Sequence, residues 1–168
     1  MSIFDVATTR LGTGSLKWDK RPDLRPFWVA DMDFLSPPEV IEALHRRVDH
    51  GVFGYAVPHE GLVDSILHYL DERHGVAALA EHLVHLGGLV PALSLAGRAF
   101  AAPGEALLTC SPVYPPFLEV HRDSALELIT VPYLLTNSRW SFDWEAMDHA
   151  VTPNTRLFLL SNPQNPLG

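Results

Sequence analysis

The stretch LFLLSNPQNPLG, residues 157–168, joins a run of apolar residues to a turn that contains two Asn-Pro pairs. A short apolar run bounded by turn residues is typical of a strand buried in a sheet. Proline fixes the backbone φ angle and lacks an N–H donor, so the two prolines predict an ordered turn. The stretch therefore predicts a buried strand that delivers a rigid polar turn at its carboxyl end.

The same pattern recurs upstream, where short apolar runs alternate with helical periodicity. It predicts strands near 82–86, 106–110, 126–131 and 156–161, with helices over 91–100, 116–123 and 143–150 and a surface excursion over 134–140. Such alternation indicates βαβ units and a parallel sheet. Because the strands are apolar throughout, both faces of the sheet are expected to be covered, which gives a three-layer αβα fold of the α/β class.

Two more helices are predicted before this region. Ser36 is the expected N-cap of the first, with Pro37 at the first helical position and Gly51 as its end. A second helix is expected over residues 60–73. Residues 1–45 are predicted to form an N-terminal segment that belongs to a smaller domain, and residues 46–168 to form part of a larger one.

The composition limits the classes of function. Of the 168 residues, 47% are hydrophobic and 19% charged, and the formal net charge of -8 disfavours nucleic acid or an anionic membrane as a partner. A single cysteine excludes a disulfide framework. No apolar run approaches the roughly 20 residues of a membrane span, and the opening MSIFDVATTR lacks a signal segment. These features predict a cytoplasmic protein.

Three unusual turns follow predicted strands, at the edge where ligands bind in parallel sheets. They are GGLVPAL, SPVYPPF and SNPQNPLG. In the first, Gly88 precedes a helix whose free N–H groups suit a phosphate, although an ordinary glycine turn explains it too. In the second, Tyr114 is either a platform for a flat ring or a packed core residue. In the third, Asn165 either bonds a ligand or forms an Asx turn.

Other reactive residue types do not converge in the sequence. His82 and His85 lie three apart on a predicted strand and so should point to opposite faces, and no cysteine or glutamate cluster accompanies them. Cys110 follows an apolar run with no histidine implied nearby, which favours buried packing over a role as nucleophile. No metal site is predicted, because metal sites need converging ligands.

Six stretches, in this order and spacing, resemble the pyridoxal-phosphate C–S lyases, the cystathionine β-lyase-like group of the fold-type I, class I/II aminotransferase superfamily. The resemblance covers nearly the whole sequence, and WVADMDF with SPVYPPF is specific to that group. The stretches are GTGSLKWD (12–19), WVADMDFLSPPEVIEAL (28–44), GVFGY (51–55), VPAL (90–93), SPVYPPF (111–117) and SNPQNPLG (161–168).

The resemblance implies a pyridoxal 5'-phosphate cofactor and a role for several residues. Backbone N–H groups after Gly88, those of Leu89 and Val90, would hold the cofactor phosphate. Tyr114 would stack on the pyridine ring, and Asn165, before a cis Pro166, would bond the ring hydroxyl. The phosphate loop HLGGLVPAL departs from the family, which has Pro or Ser before a single glycine, so the donor set stays open.

Two further implications concern the substrate entrance and the subunit interface. Ala30 and Asp31 would line the entrance for an amino-acid substrate. Tyr55 would reach the cofactor phosphate of the neighbouring subunit in a homodimer. Family members are more than twice as long, so the resemblance also implies a sequence truncated within the large domain.

No catalytic residue is predicted in the sequence itself. The lysine that forms the Schiff base in this family has no counterpart, because Lys17 and Lys20 are the only lysines and both lie near the N-terminus. The 168-residue chain is therefore expected to be inactive alone. The implied reaction of the complete enzyme is α,β-elimination of cystathionine or a related cysteine conjugate to thiol, pyruvate and ammonia. A class I/II aminotransferase and an inactive or regulatory fragment remain the alternatives.

Overall fold

The computed structural model describes residues 3–6 and 8–168, and its contacts separate Met1–Val57 from Pro58–Gly168. The prediction that the opening MSIFDVATTR lacks a signal segment falls partly on Met1, Ser2 and Ala7. These three residues lie outside the described residues. The contact boundary falls after the one expected at residue 45. Assignment of the two units to a small and a large domain stays a prediction.

The first unit contains little regular structure besides one long helix. A 3₁₀ turn, Ile3–Asp5, and a single helical turn, α1 (Leu16–Asp19), precede α2 (Pro38–His50). The predicted Ser36 cap is wrong: α2 has Pro37 as its N-cap residue, with ψ 142° and no side-chain cap. Pro38 is the cause, because a proline excludes helical geometry from the residue before it. Gly51 ends the helix in the left-handed conformation, as predicted.

The second unit alternates helices and strands, as the sequence predicts. Two helices come first: α3 (Glu60–His74), capped by the His59 side chain, and α4 (Leu89–Phe100). The remaining elements are β1 (Ala106–Ser111), α5 (Pro115–Ser124), β2 (Glu127–Pro132), β3 (Leu134–Thr136), β4 (Arg139–Ser141), α6 (Trp144–Ala150) and β5 (Thr155–Leu159).

The sheet of this unit has three parallel strands in the order β2-β1-β5. Residues 106–110 of β1 are all buried, which explains why that stretch is apolar throughout. Helix α5 packs on β1 and β2, α4 packs on α5 and β5, and α6 packs on β2. The core forms around Leu107, Val120, Leu126 and Leu159.

Two predictions about local structure need correction or refinement. No strand forms at 82–86: a 3₁₀ turn, Ala80–His82, precedes irregular backbone. A strand requires a hydrogen-bonded neighbour, and none of the three strands of the sheet pairs with this stretch. The excursion at 134–140 is an antiparallel hairpin of β3 and β4, which turns at Asn137 and Ser138 with φ 52° and 61°.

Helices α4 and α5 approach closely at Gly97. A β-carbon placed there would lie 2.5 Å from Ser124 Oγ and 2.9 Å from Val120 Cγ1, both too short for real contacts. Val120 is fully buried, so it has little room to move. A hydrogen bond near the glycine also joins the two helices: Ser94 Oγ donates to Asp123 Oδ2 at 2.6 Å. Gly97 is therefore a packing requirement of the α4–α5 pair.

We expect Gly97→Ala to lower the free energy of unfolding by about 1–3 kcal/mol, because overpacking outweighs the gain in helix propensity. The measurement is the urea midpoint followed by circular dichroism. Gly61→Ala is the matched control: Gly61 is also helical, but its β-carbon would meet His59 Nδ1 only at 3.4 Å. That control should gain up to about 1 kcal/mol. Equal effects of the two substitutions would contradict the close-packing argument.

Candidate functional site

A cavity of about 560 Å³ lies in the second unit beside the carboxyl end of β5. The start of α4 contributes Leu89 and Val90, the residue before α5 contributes Tyr114, and the segment after β5 contributes Asn162. Phe117 and Phe158 provide apolar walls. We call this space the Tyr114 cavity. It brings together parts of all three turns that the sequence singles out.

The start of α4 presents free backbone donors. Gly88 is the N-cap residue with φ 145°, a conformation that side chains with a β-carbon rarely adopt. The first N–H with a helical partner is that of Ala92, which donates to the Gly88 carbonyl at 3.2 Å. Pro91 has no N–H, so Leu89 and Val90 hold the free donors of the first turn. The helix dipole adds partial positive charge there, which suits an anion.

Tyr114 lies at the rim of the Tyr114 cavity, directly before α5. The residue is 42% exposed, so it is neither fully buried nor fully free of packing. Val113 on one side is buried, and Pro115 on the other begins the helix. The backbone carbonyl of Tyr114 also accepts the Phe117 N–H at 3.0 Å. The backbone that carries the ring is thus held on both sides.

Asn165 occupies a different position from Tyr114. It is exposed, does not line the Tyr114 cavity, and follows Asn162, which does. The Asn165–Pro166 bond is cis, as predicted, and so are Ser111–Pro112 and Asn162–Pro163. The turn closes where the Gly168 N–H donates to the Gln164 carbonyl at 3.0 Å. Of the residues predicted to contact the cofactor, Leu89, Val90 and Tyr114 line one cavity, whereas Asn165 does not line it.

A second cavity of about 460 Å³ lies on the hairpin side of the same turn. We call it the hairpin cavity, because its aromatic wall consists of Tyr133, Trp140 and Phe142. Gln164 also lines it, and residues 160–163 line both cavities. Sequence reasoning missed Asn162 and Gln164. Their signal is present in the sequence, since both are polar residues set beside prolines of the turn.

In the first unit, Asp31 and Asp33 lie in a charge network. Asp33 Oδ1 accepts from Arg10 Nη1 at 2.7 Å and from Trp18 Nε1 at 2.8 Å, while Asp33 Oδ2 accepts from Lys17 Nζ at 2.8 Å. Arg10 Nη2 also donates to Asp31 Oδ2 at 2.6 Å. These bonds hold the segment of the predicted entrance; Ala30, the other predicted entrance residue, is exposed.

The network shifts the pKa values of two of its members. Donation from Lys17 and from the Trp18 indole N–H, together with Arg10, holds the pKa of Asp33 far below its usual range. Bonds to Asp31 and Asp33 raise the pKa of Arg10. The Lys17 side chain is only 10% exposed and donates to the Asp31 carbonyl as well, at 2.8 Å. Its Nζ is therefore engaged by two acceptors.

The remaining candidates occupy unremarkable surroundings. Cys110 is 3% exposed, its Sγ lies 3.8 Å from Met147 Sδ, and burial raises the pKa of its thiol, which agrees with packing and not with nucleophilic chemistry. His82 Nδ1 accepts the Leu79 N–H at 3.1 Å. Tyr55 is fully exposed. Across residues 3–6 and 8–168, no cluster of metal-ligating side chains is found, and no helix is long and apolar enough to span a membrane.

Comparison with known proteins decides the family. The model of aminotransferase class I and II matches residues 26–168, which is most of the sequence. The chain belongs to this family. Its α/β fold with a parallel sheet agrees with solved members: cystalysin from Treponema denticola, which contains pyridoxal 5'-phosphate, superposes with a TM-score of 0.89 at 29% identity over 97% of the chain.

Two other relatives of this aminotransferase-family chain are named as lyases. Cystathionine beta-lyase PatB of Bacillus subtilis is 38% identical over 98% of the chain. A pyridoxal-phosphate-bound C–S lyase from Staphylococcus hominis superposes with a TM-score of 0.86 at 28% identity over 98% of the chain. The chain spans 44% of PatB, 44% of cystalysin and 44% of the Staphylococcus enzyme, less than half of each.

The charge network predicts an acid-labile first unit. A carboxyl group whose folded pKa is depressed stabilises the fold above its unfolded pKa, near 4, and loses that contribution as the pH falls through the folded value. We expect Asp33→Asn to remove part of the stability lost between about pH 5 and pH 2. Thermal midpoints followed by near-ultraviolet circular dichroism across this range provide the measurement. Asp49→Asn, on exposed α2, is the control; identical pH profiles for both variants would refute the prediction.

Proposed function

We propose that the chain is the N-terminal part of a pyridoxal-phosphate-dependent C–S β-lyase. The complete enzyme would cleave cystathionine or a related cysteine conjugate with water to give a thiol, pyruvate and ammonia. The observation that carries the proposal is the Tyr114 cavity, where free N–H groups of α4 and an accessible aromatic ring share one space. Relatives named cystathionine β-lyase and C–S lyase support the reaction class.

The residues present fit the cofactor. A volume of about 560 Å³ is within the range of small-molecule sites, roughly 300–1,000 Å³. The N–H groups of Leu89 and Val90 are proposed to hold the phosphate, since they begin α4 and therefore have no helical acceptors. The exposed part of the Tyr114 ring is proposed to stack on the pyridine. When bound, this cofactor withdraws electrons from the substrate α-carbon.

Two polar roles complete the proposed site. Asn165 would donate its side-chain N–H to the cofactor's ring hydroxyl, which would require its exposed amide to turn toward the ring. Asn162 already lines the Tyr114 cavity and offers a second amide at the same edge. Both would orient the ring and exclude water rather than move a proton. Ala30 and Asp31 are proposed to line the substrate entrance, with Asp31 oriented by Arg10.

A homodimer is proposed for the complete enzyme, with Tyr55 reaching the cofactor phosphate of the neighbouring subunit. Exposed apolar residues in the first unit support a protein partner there, because large contiguous apolar patches mark interaction surfaces. On α2 these residues form one stripe at helical spacing: Val40, Ile41, Leu44 and Val48. Tyr55 follows shortly after them in the sequence and is fully exposed. The protein is proposed to act in the cytoplasm.

An aminotransferase is the second candidate, favoured by the scope of the family itself, which is described as aminotransferase class I and II. The two reactions differ in products: the lyase releases pyruvate and ammonia, whereas an aminotransferase needs an oxo-acid acceptor. A regulatory or inactive fragment is the third. An assay of the longer enzyme with cystathionine, with and without an added oxo acid, separates the two activities, and no turnover under either condition favours the third.

The 168 residues alone are proposed to lack catalytic activity. Both lysines have occupied side chains: Lys17 is bound to Asp33, and Lys20 Nζ lies 4.7 Å from the centroid of the Trp28 ring. Neither is therefore proposed as the Schiff-base lysine. Binding of the cofactor is expected all the same, because the phosphate donors and the ring platform do not depend on a lysine.

We expect Tyr114→Ala to weaken binding of pyridoxal 5'-phosphate by roughly 3–10-fold, the size of one aromatic contact. Quenching of intrinsic fluorescence during titration with the cofactor gives the dissociation constant. Tyr69→Ala is the matched control, because Tyr69 is a half-exposed tyrosine of α3 that contacts His74. Similar losses in both variants would show that Tyr114 is not the platform.

We also expect no pyruvate release from cystathionine by the 168-residue chain, even with saturating cofactor. Loss of general base catalysis alone lowers the rate by roughly 10²–10⁴. The assay couples pyruvate to lactate dehydrogenase, with Lys17→Ala and Lys20→Ala measured in parallel. Turnover that either substitution abolishes would overturn the proposal that both lysines are engaged elsewhere.

A further inference from the structure

We propose that Gln164 is a positioning residue that sets the spacing between the turn of Tyr114 and the turn of Asn165. This inference rests on the proposed function, because those two residues are the ones assigned to the cofactor ring. Gln164 itself does not line the Tyr114 cavity. It would act through the two turns that it joins, and not by contact with the ring.

Both ends of the Gln164 amide are used. Its Nε2 donates to the Pro112 carbonyl at 2.7 Å, and its Oε1 accepts the Leu167 N–H at 2.6 Å. The first bond reaches the turn over residues 111–116, and the second lies within the turn over residues 161–168. One amide thus serves as donor to one turn and acceptor for the other. A carboxylate lacks the donor, and an aliphatic side chain lacks both groups.

No other hydrogen bond joins these two turns among the described residues. The ladder between β1 and β5 ends at the pair Thr109 and Leu159, before either turn begins. Prolines occupy five of the positions beyond it and supply no N–H: Pro112, Pro115, Pro116, Pro163 and Pro166. In the described residues the cross-link between the turns is supplied by a side chain.

The surroundings of Gln164 restrict its movement. Its side chain is half-buried on the wall of the hairpin cavity, beside Tyr133. Tyr133 lines the same cavity, and its backbone N–H donates to the Ser111 carbonyl at 2.8 Å, which ties it to the first turn. Gln164 is thus held by two hydrogen bonds and packed on a cavity wall.

The consequence concerns two cofactor contacts at once. Tyr114 lies two positions after Pro112, and Asn165 is the direct neighbour of Gln164. If the amide is lost, the turns separate and the ring platform and the Asn165 amide no longer keep one spacing. Cofactor affinity should fall, and the ring hydroxyl should titrate at a different pH, although no group that touches the cofactor has been changed.

The test uses two variants of the 168-residue chain. Gln164→Glu keeps an acceptor for the Leu167 N–H but places a carboxylate against the Pro112 carbonyl, and Gln164→Met removes both bonds. Asn154→Ala is the matched control. Its amide also joins distant backbone, donating to the Gly104 carbonyl at 2.9 Å, but at the amino end of β5. A Gln164 variant that fails to fold is replaced by Gln164→Asn, which keeps the amide on a shorter stem.

Three readouts are measured. The first is made without cofactor and consists of two measurements: the hydrogen-exchange rate of the Leu167 amide and the chemical shift of the Tyr114 amide. We expect Gln164→Met to lose Leu167 protection, Gln164→Glu to keep it, and both to shift Tyr114. The second is affinity for pyridoxal 5'-phosphate, expected to fall roughly 2–10-fold in both variants, as for one hydrogen bond. The third is the absorbance titration of the bound cofactor's ring hydroxyl, expected to move in both and not in Asn154→Ala.

The failures are distinguishable. Unchanged affinity and titration in the Gln164 variants, with weaker binding by Tyr114→Ala, would overturn the inference and leave the proposed function intact. If the parent chain does not bind the cofactor, the proposed function is wrong. The inference is then tested by the measurement without cofactor. An unchanged Tyr114 chemical shift in Gln164→Met overturns the inference, and a changed chemical shift supports the link between the turns.

Discussion

The hydrogen bonds on the two edges of β1 are the constraint on which the second unit depends. This strand pairs with β2 on one edge and β5 on the other, both in parallel. Parallel strands end at the same side of a sheet, so their carboxyl-terminal turns must meet there. The Thr109 hydroxyl strengthens the β5 edge by donating to the Leu159 carbonyl at 2.9 Å. The convergence of SPVYPPF with SNPQNPLG is therefore a property of strand pairing, and the turn residues only refine it.

The first unit forms no such sheet in its described residues, and a charge network joins its segments instead. Asp33 accepts hydrogen bonds from Arg10, Lys17 and Trp18, which lie 15 to 23 positions before it in the sequence. Asp33 is 36% exposed, so solvent screens each ion pair and makes a single one weak. Several donors on one carboxylate share the cost of ordering it, which makes the network more effective than an isolated pair. The same arrangement engages Lys17 Nζ, which donates to both the Asp33 carboxylate and the Asp31 carbonyl.

The sequence predicts best where a signal is local. Alternating apolar and helical runs predict β1, α5, β2 and β5 nearly to the residue, and the Asn165–Pro166 cis bond follows from the family resemblance. The sequence predicts local structure less well where a residue distant in sequence, or a steric effect of a neighbour, determines the conformation. The run at 82–86 has the length of a strand, yet no strand of the sheet pairs with it. Ser36 matches a capping signature, but steric exclusion before Pro38 outweighs it. The Gln164 cross-link is invisible to periodicity, because its acceptor is a backbone carbonyl 52 residues away.

The turn at the start of α4 has free backbone N–H donors, whereas the two proline-rich turns at the site have few. At the start of α4, the N–H groups of Leu89 and Val90 have no helical acceptors, so they are available to an anion. In the other two turns, prolines remove donors and stiffen the backbone, and a side chain forms the bond between the turns. The residues with free donors line the cavity, as do side chains from the two rigid turns. A ligand with an anionic group at one end and a flat ring at the other matches this division.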